Sequence, residues 1–262
     1  MSAQSEPFFV SVRGRKLEVQ RIAGPGAGAR TLVFLHEGLG SVAMWRDFPQ
    51  KAAEATGCAA LVYSRYGYGR SDVLGEPRGV DYMHVEALEI LPELLERVEV
   101  PDPVLVGHSD GGSIALIHAA AHREARGLVL MAPHVFVEDI SVKSIAEAKV
   151  AFESTDLPQK LGRYHADAAK TFRGWNDIWL HPDFRAWNIE ECLPRVCCPV
   201  LAIQGFDDEY GTMAQVEAIA RQTGGPIELL RLSDCRHSPH RDQPKAVIEA
   251  MARFVDRLDA GA

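Results

Sequence analysis

Along the chain, short apolar runs alternate with longer stretches whose apolar positions recur at helical spacing. Residues 31–35, 59–63, 104–106, 127–131 and 200–203 are rich in Val, Leu and Ile and show no polar alternation. That pattern predicts strands buried on both faces of a mainly parallel sheet. Residues 8–12 and 16–22 alternate more openly around Arg13-Gly14 and predict an opening hairpin, and 227–232 reads as a further strand. Between the runs, residues 43–55, 83–97, 111–122, 213–221 and 244–258 predict helices. Strands and helices that alternate in this way imply an α/β fold with an open, doubly wound, mostly parallel sheet.

The rhythm breaks once. Residues 134–194 contain no convincing strand, while 144–152 and 157–169 read as helices. Sixty residues are too many for a structureless loop in a compact domain, so an inserted helical cap is expected. The predicted organisation is a core formed by 1–133 and 195–262, with the cap at 134–194. Trp175, Trp179 and Trp187, with Tyr164, Phe172 and Phe184, lie in the insertion. They serve either as glue between cap and core or as an apolar pocket wall, since ligand sites favour such junctions. Trp175 and Trp179 are candidate substrate contacts. The Gly- and Ala-rich residues 23–30 read as a surface turn.

Composition narrows the class. A chain of 262 residues with 47% hydrophobic and 24% charged positions can bury a substantial core. The net charge of −8 has no basic tract within it, which disfavours nucleic acid and anionic membranes as partners and favours a small-molecule substrate. No apolar run spans a bilayer and the first nine residues lack a signal-like core, so a cytoplasmic location is expected. Cys58, Cys192, Cys197, Cys198 and Cys235 are odd in number and show no Cys-x-x-Cys spacing, which predicts buried, reduced thiols. No heptad seam or interface stripe fixes an oligomeric state.

The candidate chemistry begins where the strand 104–106 ends, in Gly107-His108-Ser109-Asp110-Gly111-Gly112. Gly-x-Ser-x-Gly between a strand and a helix is the pattern of a nucleophile elbow, which exposes a serine Oγ on a sharp turn. A serine so used needs a base, an acid to orient the base, and backbone donors for an oxyanion. Asp207, Asp208 and Glu209 follow one predicted strand, and His237 and His240 follow the next. Carboxyl ends of strands are where open α/β sheets place their ligands. His118 and His122 are four residues apart on a predicted helix, but no further ligand cluster accompanies them and no metal is expected there. His108 is expected to pack beneath the elbow.

These segments together resemble the α/β-hydrolase superfamily from about residue 31 to the last helix. The resemblance rests on His36-Glu37-Gly38-Leu39-Gly40-Ser41 with Trp45, Arg65-Tyr66-Gly67-Tyr68-Gly69-Arg70-Ser71, the elbow, Gly205-Phe206-Asp207-Asp208, and His237. It implies a serine hydrolase, carboxylesterase-like, with Ser109 as nucleophile and His237 as base. It also selects Asp208, three residues after Gly205, as the orienting acid. The backbone N–H groups of Asp110 and Gly38 become the oxyanion donors, with Leu39 the alternative to Gly38, and the Arg65 stretch becomes a structural turn. Such a triad requires no metal or organic cofactor.

Two positions depart from the common pattern. Glu37 stands where a glycine is usual, and Asp110 where an apolar residue is common. Gly-x-Ser-Asp-Gly-Gly is similar to amino-acid-ester hydrolases of the superfamily, so Asp110 and Glu37 are candidate ligands for a substrate cation. The competing reading gives the Asp110 side chain to nearby backbone or polar groups. Ser109 disfavours the dehalogenases and epoxide hydrolases of this fold, which use an aspartate. The expected reaction is hydrolysis of a small-molecule carboxylic ester, thioester or lactone. Hydrolysis of a carbon–carbon bond in aromatic ring-cleavage products is the enzymatic alternative, and a ligand receptor on the same fold the non-enzymatic one.

Overall fold

The structure, a computed structural model, describes residues 6–26 and 29–260. Residues 1–5, within the N-terminal stretch read for a leader, and 27–28, within the expected 23–30 turn, lie outside the described residues. The strands are β1 (Phe8–Val12), β2 (Arg15–Ile22), β3 (Thr31–Leu35), β4 (Ala59–Tyr63), β5 (Val104–His108), β6 (Gly127–Met131), β7 (Val200–Gly205) and β8 (Ile227–Leu232). They form one sheet in the order β1-β2-β4-β3-β5-β6-β7-β8. β1 and β2 make the expected antiparallel hairpin and β2 runs antiparallel to β4. From β4 to β8 every pairing is parallel.

Both faces of the sheet are covered, as continuous apolar strands require. Along β3, Leu32 and Phe34 point to one side and Val33 and Leu35 to the other. The first side packs on helices α1 (Phe48–Thr56) and α10 (Pro244–Ala260), through Ala52, Val247, Met251 and Phe254. The second packs on α2 (Tyr82–Val85), α3 (Leu91–Arg97), α4 (Asp110–Ala121) and α8 (Ala214–Gln222). β5 and β7 continue past the apolar runs that predict them, to His108 and Gly205, because main-chain pairing with β6 and β8 needs no apolar side chain. That extension brings the Gly-x-Ser turn to the sheet's carboxyl edge.

Prolines explain two broken helices. The helix expected at 43–55 is a short 3-10 helix (Val42–Trp45) followed by α1, which carries Pro49 in its first turn. The helix expected at 83–97 is α2 and α3 joined through one wider turn (Glu86–Ile90), which ends two residues before Pro92. Proline lacks the N–H and its ring crowds the preceding turn, and a widened turn relieves both.

Between β6 and β7 lie α5 (Asp139–Ser154), α6 (Leu157–Leu161), α7 (Ala168–Trp179) and two 3-10 helices (Pro182–Ala186 and Glu190–Arg195), and the short α9 (Pro239–Asp242) follows β8. The helix expected at 157–169 stops at Leu161, the chain turns through Gly162, and α7 starts afresh with Asp167 accepting the Lys170 N–H. α7 buries Phe172, Trp175, Ile178 and Trp179, which join the same apolar cluster as Leu35, Leu105 and Leu130 of the sheet. Among the described residues no helix is long and apolar enough to cross a membrane. Cys58, Cys192 and Cys235 are buried, but Cys197 is exposed and Cys198 half-buried, since the turn before β7 runs along the surface.

Candidate active site

Ser109 occupies the corner between β5 and α4 with φ 53° and ψ −119°. A non-glycine residue with positive φ is strained and is kept only where the surroundings impose it. Here the imposition is close packing. A Cβ on Gly111 would stand 2.0 Å from the Leu35 carbonyl oxygen, so only glycine lets α4 approach β3 this closely. Asp110 is the first residue of α4, and an N–H in that position has no partner within the helix.

Two loops at the same edge complete a hydrogen-bonded line. His237 Nε2 lies 3.0 Å from Ser109 Oγ, and His237 Nδ1 lies 2.9 Å from both Asp208 oxygens. Asp208 follows β7 and His237 follows β8. The Asp208 carboxylate also accepts from the Tyr210 N–H (2.7 Å), the Gly211 N–H (3.2 Å) and Gln204 Nε2 (2.8 Å). Burial alone would raise its pKa, but His237 and the Tyr210 N–H outweigh burial and hold it below the ordinary value. For His237, burial favours the neutral ring, yet Asp208 outweighs it and raises the pKa. Ser109 is 6% exposed and the His237 side chain 13%, so both are largely shielded from solvent.

The loop after β3 supplies the facing wall. Arg65, fully buried, donates to the carbonyls of His36 and Glu37, so the Arg65 stretch braces this loop as well as turning the chain. His165 accepts the Gly69 N–H at Nδ1 (3.0 Å) and therefore donates from Nε2 to the Leu39 carbonyl (3.0 Å). This is where the interruption after α6 leads: the turn places His165 on the Gly38–Leu39 loop.

Trp175 lies against Gly38, and a Cβ on Gly38 would stand 2.1 Å from its Nε1. Gly38→Ala is expected to destabilise the fold by about 1–3 kcal/mol through overpacking. The double variant with Trp175→Leu should recover part of the lost melting temperature. A wild-type melting temperature for Gly38→Ala would show that the close approach is absent.

The profile of the Alpha/beta hydrolase family matches residues 32–250. The chain belongs to this family. It is 32% identical to a proline iminopeptidase of Saccharolobus solfataricus over 96% of this chain and 97% of that protein. The haloalkane dehalogenase DbeA of Bradyrhizobium elkani superposes with a TM-score of 0.77 at 18% identity, covering 99% of this chain and 100% of the other. The esterase EaEST of Exiguobacterium antarcticum superposes at 0.72 with 18% identity, covering 95% and 98%. These two likenesses concern the fold.

Several candidate residues of this alpha/beta hydrolase are committed to other partners. The Asp110 carboxylate has no exposed surface: it accepts from the Tyr82 hydroxyl (2.6 Å) and Trp179 Nε1 (3.3 Å) and lies 3.8 Å from Arg65. Asp110 and Trp179 therefore hold each other, which is the competing reading of the Asp110 side chain. Glu37 is directed to His108 (3.5 Å) and Arg241 (3.7 Å). Asp207 is exposed in the turn before Asp208, and the buried His240 packs on Trp45 and Phe48. His118 is buried and pairs with the Ala87 carbonyl, and no metal-binding cluster occurs among the described residues.

Gln204, Tyr210, Glu209 and His165 support the site without belonging to the motifs. Of these, Glu209 is visible in the sequence as an acid after the predicted strand, and Gln204 as a polar residue closing the apolar run of β7. Glu209 pairs with Arg236 (2.9 Å) and accepts the His237 N–H (3.2 Å).

Proposed function

We propose that this hydrolase cleaves small carboxylic esters, thioesters or lactones through an acyl-enzyme on Ser109. The observation that carries the reading is the unbroken line from Ser109 Oγ through His237 to a carboxylate already satisfied by three further donors. In this mechanism His237 Nε2 takes the Ser109 proton as Oγ bonds to the substrate carbonyl carbon. The N–H groups of Asp110 and Gly38 receive the developing oxyanion. Collapse breaks the bond to the leaving group, which takes the proton from His237. Water, deprotonated by the same nitrogen, then bonds to the acyl carbon, and the bond to Ser109 Oγ breaks as His237 returns the proton to that oxygen and the acid leaves. Residues 134–194 act as the cap, with Trp175 beside the oxyanion loop.

The acids nearest the site argue for neutral substrates. Asp110 is buried against Tyr82, Trp179 and Arg65, and Glu37 and Glu209 lie against basic side chains, which disfavours these three as holders of the α-ammonium of an amino-terminal substrate. The test is a panel of p-nitrophenyl acetate and butyrate, a thioester, a lactone, a ring-cleavage dienone and prolyl p-nitroanilide. Ester, thioester or lactone turnover at least tenfold above the last two supports the proposal. Preference for the dienone or the anilide overturns it, and ligand binding without turnover favours the receptor.

The pH profile has a defined sign. His237 must be neutral to act, and Asp208 raises its pKa above the ordinary 6.5. Log kcat/KM is therefore expected to rise with unit slope on an acid limb centred above pH 6.5, then level off. A limb centred clearly below that value contradicts the role of Asp208.

A further inference from the structure

The triad explains the His237 ring but not what holds its main chain. Its N–H is held by Glu209, and its carbonyl receives His108 Nε2 at 2.7 Å. A carbonyl only accepts, so His108 Nε2 carries a hydrogen. The other nitrogen, Nδ1, is buried, has no normal hydrogen bond, and faces Glu37 Oε2 at 3.5 Å. A bare lone pair opposite a carboxylate is repulsive in a poorly solvated site, whereas a proton on Nδ1 makes the contact attractive.

We propose that Glu37 and His108 form a second carboxylate–imidazolium pair that positions His237, tying the Gly38 loop to the loop that carries the base. It rests on the serine-hydrolase reading of the site. His108 thereby acts as a positioning residue, and Glu37, the departure from the usual glycine, has a task.

Two neighbouring histidines are neutral. His36 gives its Nδ1 hydrogen to the Glu37 carbonyl (2.7 Å) and accepts the Arg65 N–H at Nε2 (3.1 Å), so it is neutral. Both His240 nitrogens are buried without partners, 4.9 Å ring to ring from His108, and burial pushes its pKa down. Burial opposes a charged Glu37, but His108 and Arg241 outweigh it and hold the carboxyl well below its ordinary range. The carboxylate facing His108 is thus Glu37. The Ser109–His237 contact depends on the loop that this pair anchors, and displacements of about 1 Å at such a contact can cost on the order of 100-fold in rate.

Nitrogen-15 spectra of histidine-labelled wild-type protein at neutral pH should show both His108 ring nitrogens protonated, and Glu37→Gln should leave one protonated. A singly protonated His108 in the wild type, or no change in Glu37→Gln, overturns the pair. This reading needs no turnover. If it succeeds while Ser109-dependent hydrolysis is absent, the hydrolytic reading fails and the pair stands.

Kinetics with p-nitrophenyl acetate then test positioning. His108→Leu, lacking the donor, should lose about 10- to 100-fold in kcat with KM within about twofold. His108→Gln, whose amide reaches the place of Nε2, should recover most of that loss. Unchanged kcat in His108→Leu, or equal loss in both variants, overturns the proposal. Should His108→Leu not fold, Glu37→Gln serves, since its side chain is partly exposed, with a several-fold fall in kcat expected and an unchanged kcat overturning the role.

Discussion

Replacing Ser109 by alanine is expected to lower kcat for p-nitrophenyl acetate by about 10⁵-fold or more, with stability changed by no more than about 1 kcal/mol. The large effect arises because the oxygen is the atom that forms the bond, and neither His237 nor the backbone donors can replace it. The small structural effect follows from the same geometry. The elbow is imposed by strand pairing and by the fit of Gly111 against Leu35, neither of which involves the Ser109 side chain. Alanine at φ 53° suffers much the same strain as serine. Circular dichroism and thermal melting check the fold, and steady-state kinetics on the same preparation check the loss. A folded variant retaining more than about 1% of wild-type turnover would remove Ser109 from the mechanism.

Asp208→Asn should cost about 10³- to 10⁴-fold in kcat. The asparagine amide can donate to His237 Nδ1, which moves the ring hydrogen to Nε2 and points a donor at Ser109 Oγ where an acceptor is needed. The loss of charge also removes the chief support for the raised His237 pKa, so the acid limb should move to lower pH. Retention of Tyr210 and Gly211 as donors to the remaining oxygen should keep the turn folded. A loss below about tenfold, with the acid limb unmoved, would mean that Asp208 does not orient the base.

Much of this architecture is legible in the chain because burial leaves a periodic trace. The strands β3 to β7 appear as apolar runs, and the order of Ser109, Asp208 and His237 follows the sheet's carboxyl edge. Other features leave no such trace. Asp110 and Glu37 look alike as acids near a nucleophile, and only the fold shows that one meets Tyr82 and Trp179 while the other meets His108 and Arg241. His165 lies where helical periodicity continues, yet Gly162 interrupts it and a contact 126 residues distant in sequence fixes the turn. Hydrophobic period encodes which side of an element is buried. It does not encode which polar group waits there.

The most direct measurement is fluorophosphonate labelling of the wild-type protein, followed by peptide mass spectrometry and parallel assay of ester turnover. One adduct per chain is expected, on Ser109, appearing at the rate at which turnover disappears, with none on Ser109→Ala. Inactivation with the adduct on another residue, or full turnover from a protein whose Ser109 is completely labelled, would contradict it.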